Sequence, residues 1–145
     1  MFTFSLQTVL DVRERLEKIK YKEFSGLLFE RQRMDGEIRA RNAQISGAAE
    51  KLDLVRRNSI TAAPLQLYTQ FRQRLQSEIG LIAEQLREEE QALEEKRKEL
   101  VEARRAHRAL EILKEKERAR YAQALARQER AIMDEIAANN YLHQK

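Results

Sequence analysis

Apolar residues recur at steps of three and four along two long stretches of this chain, a pattern typical of helices that pair through one face. One break separates the stretches, at RRNSITAAPLQLY, residues 56–68. Asn58 and Ser59 disfavour a helix interior because their side chains compete for backbone hydrogen bonds. Pro64 is tolerated in a first helical turn, and Ser59 or Thr61 could cap that helix. The pattern therefore predicts a short loop between two helices.

We predict helix one over about residues 5–57, the loop over about 58–63 and helix two over about 65–141. Two helices joined by a short loop pack antiparallel. The predicted fold class is therefore all-α. We expect a single domain, residues 1–145, that forms a long antiparallel two-helix coiled-coil hairpin with the C-terminal helix overhanging.

The apolar positions of helix one form two series with a seven-residue period, as in a coiled coil. The series are Phe24, Ile38, Ile45 and Leu52, and Leu27, Met34, Ala48 and Val55. Arg31 and Arg41 fall on the same seam, so their stems should lie along it while their charged groups reach water. An upstream group keeps the spacing in a shifted frame, which predicts a relaxed supercoil near residues 20–23. That group is Val9, Val12, Leu16 and Ile19.

Helix two carries a similar seam with weaker layers in its middle. Between Leu86 and Leu100 only one apolar residue per heptad remains, because Glu89 and Lys96 take the other positions. Coiled coils lose stability when charged residues occupy seam positions. The predicted seam is Tyr68, Phe71, Leu75, Ile79, Ile82, Leu86, Leu93, Leu100, Ala103, His107 and Leu110.

The register of the pair follows from the loop. If Val55 faces Tyr68, then Leu16 faces His107, and helix one ends opposite about residue 118. Helix two continues for about 20 residues, or about 30 Å, beyond that point. This overhang keeps an apolar stripe, and an isolated helix of its length is marginal in water, so we predict that it is helical chiefly when a partner holds it. The stripe is Tyr121, Leu125, Ile132, Met133 and Ile136.

Composition narrows the function classes. Charged residues make up 36% of the chain and aromatic residues 6%, which suits solvated helices better than a thick core. Both charge signs are interspersed at a net charge of +4, so we expect no nucleic-acid partner. The chain has no Cys, and its N-terminal sequence lacks the features of a signal peptide. No run is long and apolar enough to span a bilayer, so we expect membrane association only by recruitment.

Catalytic chemistry has no support in the sequence. His107 and His143 are the only histidines, and His107 falls on the seam, where packing is the simpler explanation. Neither a phosphate-binding glycine loop nor a metal-ligand cluster nor a nucleophile motif occurs. A two-helix coil also offers no enclosed pocket that would tune a carboxylate such as Glu89. We therefore expect no enzymatic activity, no cofactor and no bound metal.

Two terminal motifs resemble the flagellar export protein FliJ family. These are FTFSLQTVLDVRERLEK, residues 2–18, and LEILKEKERARYAQALARQERAIMDEIA, residues 110–137. The resemblance implies an antiparallel coiled coil that is similar to the central stalk of rotary ATPases. It also implies a component of the flagellar type III export apparatus that binds the export ATPase FliI and the export gate protein FlhA, and that assists delivery of substrate–chaperone complexes. Its expected place is the cytoplasmic face of the membrane, as a monomer when free.

The resemblance also suggests two sets of contact residues. The end that carries both termini would face the ATPase through Arg13, Glu14, Glu129, Asp134 and Glu135, with Leu125, Ile132 and Ile136 as apolar contacts. The motif YTQFRQRL, residues 68–75, is similar to the family's gate-binding region and points to Tyr68, Phe71 and Leu75. Arg72 and Arg74 make this region basic, which departs from the family pattern. Plain helix surface and plain seam packing are the simpler interpretations of the two sets.

Two other functions stay open on the sequence alone. One is the equivalent stalk of a virulence-type secretion system, although the N-terminal phenylalanine pattern favours the flagellar system. The other is a generic coiled-coil scaffold or a nucleic-acid-associated protein. Binding to an export ATPase would separate that second class from the first two.

Overall fold

The computed structural model describes residues 1–58 and 61–144 and contains two long helices. α1 covers Gln7–Asn58 and α2 covers Ala63–His143, so each predicted helix exists with bounds within two residues of those expected. The described residues contain no strand, and the fold is the all-α two-helix hairpin that the heptads predict. Pro64 lies in the first turn of α2, as expected. Much of the predicted loop, including the possible cap at Ser59, lies outside the described residues.

The chain divides into two units. The terminal unit consists of Met1–Ile19 and Val101–Lys145, and the hairpin unit is Lys20–Leu100. Each unit contains a segment of α1 and a segment of α2, and in each the two segments run antiparallel. Contacts between the helices lie within about one helical turn of the predicted register in both, since Arg41 contacts Glu78 rather than a residue near 82. Val55 and Tyr68 line one groove in the hairpin unit, and Glu17, the neighbour of Leu16, contacts His107 in the terminal unit.

The hairpin unit follows the predicted seam closely. Met34 and Leu52 of α1 are buried, and five of the predicted α2 positions are buried in the two units, namely Leu75, Ile82, Leu93, Leu100 and Ala103. Arg41 lies on the seam and its Nε donates to Glu78 of the opposite helix at 2.9 Å. Arg31 forms an ion pair with Glu90 of the opposite helix, with 3.3 Å between a guanidinium nitrogen and Oε1. Both arginines therefore carry their charge across the seam to a carboxylate.

The frame shift predicted for the start of α1 is wrong. Leu10 is buried, whereas Val9, Val12 and Ile19 are exposed. The seven-residue period continues upstream of Phe24 through partly buried Glu17 to Leu10. Polar side chains thus occupy seam positions here, and three of the four apolar residues that suggested a shift are exposed, while Leu16 is partly buried.

The helix also begins later than expected, because the chain before it packs inward. Phe4 is only 7% exposed, and its carbonyl accepts a hydrogen bond from the N–H of Gln7 at 3.2 Å. Phe2 contacts the ring of Tyr121 with centroids 5.7 Å apart. Tyr121 therefore has a partner within the terminal unit, and its assignment to the unpartnered stripe is corrected. The overhang, as used below, is residues 122–144.

Candidate interaction surfaces

The overhang makes up most of the longest continuous run of exposed residues in the described part of the chain. α2 runs unbroken to His143, and every residue from 122 to 144 is exposed. The segment is helical in the structure of the single chain, and the dependence of this helix on a partner stays a prediction. Its apolar stripe is as predicted, with Leu125, Ile132 and Ile136 all exposed. Contiguous exposed apolar residues of this kind are typical of surfaces that bind another protein.

The acidic and basic residues expected at the ATPase do not form one cluster. Glu129, Asp134 and Glu135 lie on the overhang. Arg13 and Glu14 are exposed on α1, in the turn before Glu17, which contacts His107. Along α2, the distance from residue 107 to residue 129 is about 30 Å at the rise of an α-helix. A single compact patch would not include both sets, although one elongated partner could touch both.

Polar contacts hold the two segments of the terminal unit together. Nδ1 of His107 lies 2.5 Å from Glu17 Oε2, and its Nε2 lies 3.4 Å from Glu111 Oε1. Lys114 donates to the side-chain oxygen of Gln7 at 2.8 Å. The sequence placed His107 on the seam correctly but gave no sign of its partners, because Glu17 did not fit the apolar frame assumed there. This cluster is consistent with a packed, structural histidine.

Four charged residues form an ion network across the helices of the hairpin unit, and we call them the charge network. Lys20 Nζ donates to Glu99 at 3.0 Å, and Lys96 Nζ donates to Glu23 at 3.0 Å and to Glu99 at 3.2 Å. The hydrogen bond from Lys20 lowers the pKa of Glu99, and the bond from Lys96 lowers the pKa of Glu23. The pKa values of both lysines are raised by the same bonds. Opposite charges at this weak part of the seam favour the observed register.

The predicted gate residues lie together at the start of α2, but they differ in access. Leu75 is 3% exposed, so it is a core residue and cannot touch a partner directly while the hairpin is folded. Tyr68 and Phe71 are half-buried. The Arg74 guanidinium lies 5.5 Å from the centroid of the Phe71 ring, within cation–π range. Two partly exposed aromatic rings and a basic group are therefore available to a partner here.

The remaining features of the described residues bear on metal binding, membrane spans and cavities. They contain no group of three or more His, Asp or Glu side chains placed to hold a metal ion. No helix in the described part of the chain is long and apolar enough to cross a bilayer. Two cavities lined by described residues of the hairpin unit are open grooves beside the seam. The described features define a paired-helix protein with exposed surfaces along its helices.

Comparison with known proteins identifies the family. Residues 2–145 match the family described as Flagellar FliJ protein. Comparisons with curated proteins and with solved structures found no match. Because the match covers nearly the whole chain, the protein belongs to the FliJ family. The family implies a stalk role in flagellar protein export, as a non-enzymatic component of the export apparatus.

Proposed function

We propose that this chain is an export stalk that binds the ATPase FliI through the overhang and the gate protein FlhA through the start of α2. In this role it assists the delivery of substrate–chaperone complexes at the cytoplasmic face of the membrane, and it is a monomer when free. The observation that carries the proposal is the exposed apolar stripe on a helix segment that nothing in the described chain covers. Family membership supports the choice of a flagellar ATPase as the partner.

In the proposed ATPase contact, apolar side chains supply affinity, and charged side chains set the orientation and the rate of association. Ile132 and Ile136 would lose exposed apolar surface on binding, at about 25 cal/mol per Å². Charged residues at the rim of an interface set orientation and association rate more than affinity. Arg13, Glu14, Glu129, Asp134 and Glu135 are assigned that second role, with Leu125 extending the apolar contact. The two groups should therefore respond differently to substitution and to salt.

The ATPase contact is tested with the full chain. Ile132→Ala with Ile136→Ala should abolish or strongly weaken FliI binding in a pull-down or by calorimetry, without lowering helicity, because alanine favours a helix more than isoleucine does. Leu81→Ala is the matched control, since Leu81 is a comparably exposed residue of α2 in the other unit. Unchanged FliI binding by the double variant would exclude the overhang as the docking element.

The gate contact needs a separate test because Leu75 is buried. We assign direct contact to Tyr68 and Phe71, and a supporting role to Leu75, which is buried in the seam. Phe71→Ala should weaken FlhA binding and swimming motility while thermal stability falls only modestly. Leu93→Ala, at another buried seam position, should cost about 2–5 kcal/mol of stability yet leave FlhA binding intact in the folded fraction. If FlhA binding follows stability alone in both variants, Phe71 is only a packing residue.

A further inference from the structure

The end of the hairpin unit carries a local excess of positive charge. Residues 54–77 contain four arginines and no acidic residue. We call this stretch the acid-free segment. Its described residues are 54–58 and 61–77. A local excess of one charge sign attracts partners of the opposite sign.

The basic groups around this segment also lack internal partners. Lys51, Arg56, Arg57 and Arg72 make no ion pair within 4.0 Å with any carboxylate in the described part of the chain. In the middle of the same unit, Arg33 pairs with both Glu30 and Glu37. The positive charge at the hairpin end is therefore available to an outside partner.

An open apolar groove lies beside these charges. Its volume is about 260 Å³, and it is lined by Ala48, Lys51, Leu52, Val55, Pro64, Leu67 and Tyr68. Leu67 is 68% exposed, although it borders the groove. The volume is below the roughly 300–1,000 Å³ of pockets that enclose small molecules. A shallow apolar groove between two helices is the shape that receives side chains from a third helix.

Helical spacing places the unpaired charges around this groove. Arg56 follows Leu52 by four residues in α1, and Arg72 follows Tyr68 by four residues in α2. Residues four apart lie on the same face of a helix. Lys51 itself lines the groove. Each helix therefore presents an unpaired basic group on the face that forms the groove.

We propose that this groove binds an acidic amphipathic helix of a partner protein. Apolar side chains on one face of that helix fill the groove, and its acidic residues pair with Lys51, Arg56 and Arg72. A protein helix fits better than an anionic bilayer, because the apolar surface is a groove between helices rather than a protruding cap. The groove includes Tyr68 but not Phe71, and the inference is independent of the proposed contact with FlhA.

The test uses a fluorescent synthetic helix with leucines at spacings of three and four and glutamates at the remaining positions. Fluorescence anisotropy should show salt-sensitive binding to the full chain. A matched peptide with lysines in place of glutamates should bind at least about tenfold more weakly, equivalent to about 1.4 kcal/mol. Vesicles of phosphatidylcholine with phosphatidylglycerol form a third arm of the experiment, and they should not compete with the acidic peptide.

Two variants locate the site on the protein. Leu67→Glu should weaken binding of the acidic peptide about tenfold, and so should Arg56→Glu combined with Arg72→Glu. Leu81→Glu and Lys22→Glu are matched controls, because both positions are exposed and far along the unit from the groove. Phe71→Ala should leave peptide binding nearly unchanged, so failure of the gate proposal and failure of this one are distinguishable. Equal binding of the acidic and basic peptides, or binding of the vesicles alone, would overturn the inference.

Discussion

At the scale of single residues, charged side chains do more to hold the two helices in register than a coiled-coil pattern suggests. Arg41 and Arg31 occupy seam positions and reach carboxylates on the opposite helix. In the terminal unit, Glu17 and His107 occupy comparable positions. Specific polar pairs across a seam restrict the register because a shifted alignment would separate them.

The charge network should make stability sensitive to acid. The pKa of Glu99 is lowered by its hydrogen bond from Lys20, so Glu99 contributes stability above the pKa it has in the unfolded chain. That contribution is lost as the pH falls below the ordinary glutamate pKa and through the lower pKa of the folded state. In urea titrations, Glu99→Gln should remove part of the difference in stability between pH 7 and acid. Glu102→Gln, at an exposed position nearby, should preserve that difference.

A second prediction concerns Glu89. Its Oε2 atom is buried and has no hydrogen-bond partner among the described residues, and the side chain borders a small space beside Leu27 and Leu93. A buried polar atom without a partner costs about 1–3 kcal/mol. Glu89→Leu should therefore raise the free energy of unfolding by about 1 kcal/mol or more in urea. The matched change Glu88→Leu, on the exposed face, should give no gain, and equal effects of the two changes would exclude a seam role for Glu89.

At the scale of the helices, four glycines lower stability without an evident steric reason. A Cβ added at Gly26, Gly36, Gly47 or Gly80 would meet no atom within 4 Å, and none of the four has a positive φ. Gly→Ala at such helical positions removes backbone freedom from the unfolded chain and restores helix propensity. The helices therefore have room for stabilising substitutions along their outer faces.

We expect Gly36→Ala to raise the free energy of unfolding by about 0.5–1 kcal/mol. The measurement is a urea titration followed by circular dichroism. Ala40→Gly, at an exposed position about one turn away, is the reverse control and should lower stability by a similar amount. A destabilising Gly36→Ala would mean that a backbone or partner constraint acts at this position.

The helices show which parts of the fold the sequence could predict. The heptads between Phe24 and Leu52 gave the correct seam, because apolar residues occupy most of its positions there. The predicted frame shift at the start of α1 was wrong because Glu17 and Lys20 occupy inward positions there. A pattern based on apolar residues alone does not include these charged side chains. The burial of Phe4 could not be predicted from helical periodicity, because Phe4 precedes the start of α1. The open groove at Val55 and Leu67 could not be predicted, because it depends on the separation of the helices.

At the scale of the whole molecule, protection against hydrogen exchange should differ along α2. Amides in a helix are protected most where tertiary packing opposes local opening. The overhang is a continuous helix whose described residues are all exposed, whereas the segment from Leu93 to Leu110 contains buried positions that pack against α1. Mass spectrometry should therefore find faster exchange in residues 122–143 than in 93–110, and slower exchange of the overhang when FliI is bound. Equal protection of both segments in the free protein would contradict an unpartnered overhang.

The thinness of the core has a thermal consequence. Nine apolar residues are buried among those described, and no large side chain in the described part of the chain is completely enclosed. The heat capacity change of unfolding arises mainly from newly hydrated apolar surface, and globular domains show about 12–15 cal/mol/K per residue. Because this chain buries so little apolar surface, its heat capacity change of unfolding per residue should be smaller than that of a globular domain. Its stability curve is then broad and shallow, so moderate warming or cooling changes the folded fraction less abruptly than in a globular domain of equal length.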